Sequence, residues 1–544
     1  MYKITLLMIL LMHFIAASAQ TNPYDQAMAA YQQKDYSKAS TIFAPYYQER
    51  GEALSSSQLY DGACILALGG KSEQALSALR ILIVKRFYNN YDHISTDSDL
   101  TNLHGLSEWK ELLATVVENK RTELARTIKK VKATFNRVHT ILQKDNGKFW
   151  GAPIWNDSLL ALDPQRRLYS LLPLKDGTVT DSLWLVNTGE RELNQSNAPQ
   201  DYKGRKYAVI LTSYLSDSCA TVIHELFHLL QQKHIELNGN PIKYLDEYQA
   251  RQYLRLEYQA LADGLQLAQH NAPKTKVTEA LNDAIMFRKL RQRLHPEFTQ
   301  NELEIESCEG LANYTGFKFS DYSDKYQLAI REIRGREQAP TYTRTFPYAT
   351  GPAYGLLFDF LSMNWRNGLN KVYNFADIFE HHYLNTDILI DSVTFSIAST
   401  RRNYATIHEQ ELVRKTTFDH KIAWFKKIFS DKQVLTVKLA EDIYNRSFDM
   451  NGTLVLEGKG MIYTTITGTD ITGKNFGSFK TTTIGTDEQP AGILASFDSR
   501  LFTFPLPIKI EGNKIVGPNY EIVLNPEWTI KQTDSIGNME IVKK

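Results

Sequence analysis

The chain has 544 residues, with 62 Lys and Arg against 61 Asp and Glu, a formal net charge of +1. That balance offers no field to a nucleic-acid backbone or an anionic bilayer, so neither is expected as a partner. Three cysteines are too few for a disulfide scaffold, and none forms a C-x-x-C pair that would suggest thiolate ligation of zinc.

At the N-terminus Lys3 precedes an apolar run from Ile4 to Ala16, broken only by Thr5 and His13, and Ala17-Ser18-Ala19 follows as a small-x-small cleavage site. The run is too short to remain as a spanning helix. Residues 1–19 therefore read as a signal peptide. The mature chain, with no later membrane span, is expected to be exported to a periplasm or to the medium. Residues 20–117 read as helices. Ala27, Tyr31 and Ala39 recur as Ala63, Ala67 and Ala75 at a constant offset, and Lys34–Ala39 aligns with Gly70–Ala75 at the same offset. Small residues at repeated positions let paired helices approach closely, and the region resembles tetratricopeptide repeats. The resemblance implies a protein partner for the repeats, or a shoulder on which the next domain packs.

A polar helix over 119–143 leads into short apolar runs at Phe149-Trp150, Ser158–Leu162 and Leu183–Val186, separated by Gly, Pro and Asp. Tyr207–Tyr214 reads as a strand, and the chain is then mainly helical to about Lys427. Beyond Ser430, β-rich segments at Thr453–Leu456, Met461–Thr467, Ser478–Thr483 and Ile508–Ile510 alternate with Gly and Asn turns. The expected architecture is α+β and multidomain. A helical repeat region (20–117) is followed by a mainly helical domain with an upstream mixed sheet (118–428), then a small β domain (429–544).

Chemistry concentrates at His224-Glu225-Leu226-Phe227-His228. Two imidazoles four residues apart on a helix share a face, one turn apart. Both can bind one metal ion, and the adjacent glutamate can take a proton from a metal-bound water. Thr221-Val222-Ile223 and Leu229-Leu230 give this helix buried sides, and Ser216, Asp217 and Ser218 are candidate N-caps. A catalytic zinc needs a third protein ligand and an open position. His234 stands where a metzincin places its third histidine, but Gln231 replaces the glycine of the turn, and a helix running through Gln231 carries His234 off the ligand face. Two carboxylates remain. Glu309 lies in Glu306-Ser307-Cys308-Glu309-Gly310-Leu311-Ala312-Asn313-Tyr314, read as a helix start. Glu257 lies mid-helix in Leu254–Leu261. Whichever is not a ligand has Arg288 and Arg291, one turn apart, as ion-pair partners.

His224-Glu225-x-x-His228 combined with Glu309-Gly310-Leu311-Ala312-x-Tyr314 resembles the gluzincin metallopeptidases of the aminopeptidase-type branch, over residues 207–315. The resemblance implies a zincin-like domain holding Zn2+ on His224, His228 and Glu309, with Glu257 the alternative third ligand and Glu225 the general base. It also implies a peptide or protein substrate. The interval to Glu309 is longer than the family's, room for an inserted helical pair at 246–269 and 278–294, and Cys308 stands where the family often has Asn or Ser. Gluzincins often stabilise the oxyanion with a tyrosine or histidine beyond the third ligand; Tyr348 and Tyr354, in Phe346–Gly355, are the candidates. The 207–214 strand is the candidate edge for pairing with an extended substrate. The expected function is that of an exported zinc metallopeptidase. The alternative is an exported binding protein that uses its repeats and β domain, its metal site structural or vestigial, although such a site has no need of a base at Glu225. Cys219 and Cys308 flank the two ligand segments, as buried small hydrophobes or as a bridged pair.

Overall fold

The computed structural model describes residues 22–189, 192–215, 218–237, 240, 242–439, 444–449, 452–470, 476–483 and 485–544. The expected signal peptide, 1–19, lies outside the described residues. The fold is α+β and multidomain, with three sheets among the described residues. It divides into two compact units: residues up to Asn136 with Ala161–Gly189, and Arg137–Leu160 with all that follows 189.

The first unit opens with α1 (Pro23–Gln32), α2 (Tyr36–Arg50), α3 (Ser56–Leu68), α4 (Ser72–Arg80) and α5 (Tyr91–Thr96), then α6 (Ser107–Asp145), within which the two units divide. The starts of these helices are written locally. Asn22 caps α1 with Pro23 at its first position, Asp35 caps α2, and Ser55 with Gln58 forms a capping box on α3. Ala27, Ala39, Ala63, Ala67 and Ala75 are all fully buried, so the recurring small residues are core positions. The unit also holds β2 (Arg167–Ser170), β3 (Thr178–Thr180) and β4 (Leu183–Asn187), β4 pairing antiparallel with both others; β1 (Leu159–Leu162) spans the division.

In the second unit β5 (Ala198–Tyr202) and β6 (Arg205–Leu211) form a hairpin closed by Lys203-Gly204, both at positive φ, as a two-residue type I′ turn requires. On its other side β6 meets Ser158, whose carbonyl accepts from Ala208 N at 2.9 Å. The strand expected over Tyr207–Tyr214 thus starts and ends earlier, Thr212–Tyr214 being a 3-10 turn. It is also internal: the edge on this side of the sheet belongs to β5. The motif helix α7 (Ala220–Gln231) is capped by Cys219, in the left-handed region, with no side-chain capping bond. Of the three expected caps, Ser216 and Asp217 lie outside the described residues, and the Ser218 hydroxyl is 3.5 Å from Ala220 N.

The pair α8 (Tyr248–Gln269) and α9 (Lys274–Gln292) occupies the long interval, broken where Asn271 turns to positive φ. Next, α10 (Thr299–Ile305), a π turn (Glu306–Gly310) and α11 (Leu311–Phe319) make one continuous helical stretch. Glu309 therefore lies in the middle of a helix rather than at its start. Helices α12 (Lys325–Glu337), α13 (Phe346–Phe360), α14 (Phe375–Phe379), α15 (Ser392–Arg401) and α16 (Tyr404–Ser430) follow. Phe425 and Phe429 of α16 pack on Leu456, Ile462 and Leu494 of the C-terminal β region. That region consists of a seven-stranded and a six-stranded sheet sharing a core that includes Leu435, Phe479, Phe502, Phe504, Tyr520 and Ile522. No helix among the described residues is long and apolar enough to cross a membrane.

Candidate metal centre

Helix α7 is buried from Val222 to Gln231, its motif residues included. Its apolar face is held by Trp150, whose ring lies 5.3 Å from that of Phe227 and whose indole N–H donates to Thr315 Oγ1 on α11 at 3.0 Å. Gly316 brings the two helices together, because a Cβ there would overlap the carbonyl oxygen of Ala220. This close crossing brings the π turn alongside the histidines.

His224 Nε2 and His228 Nε2 stand 3.0 Å apart, and Glu309 Oε2 is 3.4 Å from each. Three ligands on a tetrahedral zinc, with bonds of about 2.0–2.1 Å, lie about 3.3–3.4 Å from one another. The observed triangle is close to one face of such a tetrahedron, and two imidazoles with a carboxylate are a zinc-type ligand set. The imidazoles are 8% exposed and the Glu309 side chain 26%, so the group is reached from solvent on the glutamate side. Electrostatics point the same way. Burial opposes a charge on His228, but Cys308 and Glu309 at its ring outweigh it and hold its pKa well above the ordinary imidazole value. Burial likewise opposes a charge on Glu309, yet the two imidazoles hold its carboxyl far below the usual carboxylate range. The Glu309 carboxylate thus favours a positive charge on the side of the histidines.

His228 Nδ1 lies 3.0 Å from Gln231 Oε1, and Gln231 Nε2 donates to Ser307 O in the π turn at 2.8 Å. An amide oxygen can only accept, so Nδ1 keeps its hydrogen, and Nε2 is the nitrogen that gives up its proton when a metal binds. Cys308 Sγ is 3.9 Å from the same Nδ1. Beside the triangle, Glu225 is buried, and its Oε2 has no hydrogen-bond partner among the described residues. Burial raises its pKa, Glu309 adds to the rise, and the two histidines oppose it. The Tyr348 ring lies parallel to that of His224 at 5.9 Å. Burial, then the charges of Glu309 and Glu225, push its phenol pKa upward, while the Arg336 guanidinium, 4.8 Å from its ring, opposes them.

The other candidates stand elsewhere. Glu257 is fully buried between Arg288, at 3.0 Å, and Arg291, and Tyr354 donates to the same carboxylate at 2.9 Å. The structure thus places Glu257 and Tyr354 together in an ion-pair cluster with Glu302 and Glu306, away from the histidines. His234 lies past the end of α7, outside the grouped ligand atoms. No disulfide joins Cys64, Cys219 or Cys308. Two further ligand-like groups occur among the described residues, Cys64–Asp97–Asp99 and Asp377–Glu380–His381. In the first, Tyr60 and Tyr31 donate to the aspartates; in the second, Lys289 pairs with Glu380. Among the described residues no lysine or arginine pairs with the His224–His228–Glu309 group. Sequence reasoning missed Gln231 as a partner of His228, although i, i+3 spacing places the two on one face. It also missed the π turn, for which no residue pattern is diagnostic. No family model, curated protein or solved structure matches this chain.

Proposed function

We propose that the chain is an exported zinc metallopeptidase of gluzincin type that hydrolyses peptide bonds in a peptide or protein substrate. The observation that carries this reading is the convergence of Glu309 Oε2 on the two imidazole Nε2 atoms, beside a buried Glu225 whose Oε2 has no hydrogen-bond partner among the described residues. In this reading His224, His228 and Glu309 hold the metal. What zinc supplies when bound is Lewis acidity, for polarising a carbonyl oxygen and acidifying water at an open position. Glu225, made more basic by its burial, takes a proton from the attacking water and returns it to the leaving amine. The Tyr348 phenol stays protonated between two carboxylates and donates to the oxyanion that develops on the scissile carbonyl. The N-terminal helices, with their recurring buried alanines, read as tetratricopeptide-like and as a surface for a protein partner.

The test is hydrolysis of a mixed peptide library by the purified chain, abolished by a chelator and restored by zinc. Glu225→Gln keeps its metal and loses on the order of 10²-fold or more in turnover. A zinc-loaded wild-type chain that cleaves nothing, or an active Glu225→Gln, overturns the proposal.

A further inference from the structure

A π turn inside a helix carries one extra residue per turn and persists where outside contacts hold it, often at functional sites. Here nearly every residue of the turn is held from outside. Glu306 takes both terminal nitrogens of Arg288 and the Thr350 hydroxyl. Ser307 Oγ accepts from Tyr373 N at 2.7 Å, and its carbonyl accepts from Gln231. Gly310 lies so close to Gly351 on α13 that a Cβ on Gly351 would overlap Gly310 Cα. Glu309 is the residue of this turn whose carboxylate is turned to the histidines.

From this we infer that Gln231 is a positioning residue that assembles the ligand triangle before any metal arrives. One buried amide performs two tasks. Its oxygen holds the hydrogen on His228 Nδ1, which leaves Nε2 facing the triangle as the metal-binding nitrogen, and its nitrogen ties α7 to the backbone two residues before Glu309. The ring and the carboxylate that must meet on one ion are thereby referenced to a single rigid group. Outer partners of this kind typically contribute 10–100-fold to metal affinity. The inference rests on the metal-centre reading above, but its readout is metal binding rather than hydrolysis.

The experiment is zinc affinity of the full chain by competition with a chromophoric chelator, for wild type, Gln231→Met and Gln231→Glu, with thermal unfolding of each metal-free protein alongside. Gln231→Met keeps the length of the side chain and removes both hydrogen bonds; it weakens zinc by about 10–100-fold. Gln231→Glu still accepts from His228 Nδ1, and recovers affinity to within about tenfold of wild type. Two results overturn the inference. One is Gln231→Met binding zinc like wild type. The other is both variants losing zinc equally and in step with metal-free unfolding temperature, the pattern of a merely structural residue. A wild-type chain with no zinc affinity fails the metal-centre reading itself, and is told apart by the wild-type titration alone.

Discussion

Replacing Glu257 with alanine separates the two glutamates that compete for the third-ligand role. The Glu257 side chain is fully buried, and its carboxylate accepts from Arg288 Nε at 3.0 Å, from Arg291, and from Tyr354 at 2.9 Å. Burial alone would raise its pKa, but the two guanidiniums overcome that and hold it below the ordinary carboxylate value, so it is an anion in the fold. Breaking a buried pair by removing one partner costs about 3–5 kcal/mol, because the charge left behind is uncompensated. Arg288 retains Glu306 and Arg291 retains Glu302, which places the loss near the lower end, about 3 kcal/mol. The assay pairs urea unfolding of the metal-free protein, followed by tryptophan fluorescence, with a zinc titration of the folded protein. Glu257→Ala lowers the unfolding midpoint and leaves zinc affinity within about threefold of wild type. Glu309→Ala does the reverse: zinc binding falls by at least about 100-fold with little change in the metal-free midpoint. Zinc lost from Glu257→Ala at unchanged stability would transfer the ligand role and refute the assignment.

Three further outcomes follow from the same contacts. Asp359, partly buried but held low by Lys318, Tyr314 and Arg366, and Glu411, buried but held low by Arg251 and Arg414, both have folded pKa values below the unfolded ones. Their stabilisation is complete above about pH 5 and is lost as pH falls through the folded values, so unfolding temperature drops on acidification below about pH 4. A melting temperature that rises between pH 5 and pH 3 contradicts this. Gly351→Ala forces α13 away from the π turn and costs about 1–3 kcal/mol along with zinc affinity, whereas Gly335→Ala on α12, where a Cβ meets nothing, does neither; equal effects at the two glycines would count against a tight crossing. Tyr348→Phe removes only a hydroxyl: zinc affinity holds and kcat falls by about 10²–10³-fold, whereas a variant with full kcat removes the phenol from the chemistry.

The parts of the site legible in the sequence are those set by local geometry. His224, Glu225 and His228 follow from helical period alone. The burial of Glu257 was readable from Leu254, Leu256, Tyr258 and Leu261 around it, and its arginine partners from their one-turn spacing. What the residues did not disclose depends on tertiary approach. The cap of α7 is a cysteine in the left-handed region, with no small polar side chain to announce it. The edge strand beside β6 is β5, whose residues lack alternation, although Pro199 within it was a usable sign, since proline has no N–H for a second neighbour. The π turn was invisible, and with it the true position of Glu309 in its helix.

The difference between Glu306 and Glu309 shows why charge type alone could not choose the ligand. They lie on one turn, three residues apart, yet meet opposite kinds of partner. Glu306 faces Arg288, a guanidinium that keeps its proton at any working pH and cannot give way to a metal. Glu309 faces two imidazoles, which offer neutral lone pairs to an ion once their protons leave. A carboxylate locked to arginine is already neutralised and serves to hold helices together. A carboxylate beside two imidazoles still calls for a cation, and the surrounding turn, pinned by Arg288, Tyr373, Gln231 and Gly351, keeps it where that cation would sit. Structural and chemical duties are thus divided between neighbouring glutamates by the bases they meet across the helix interface.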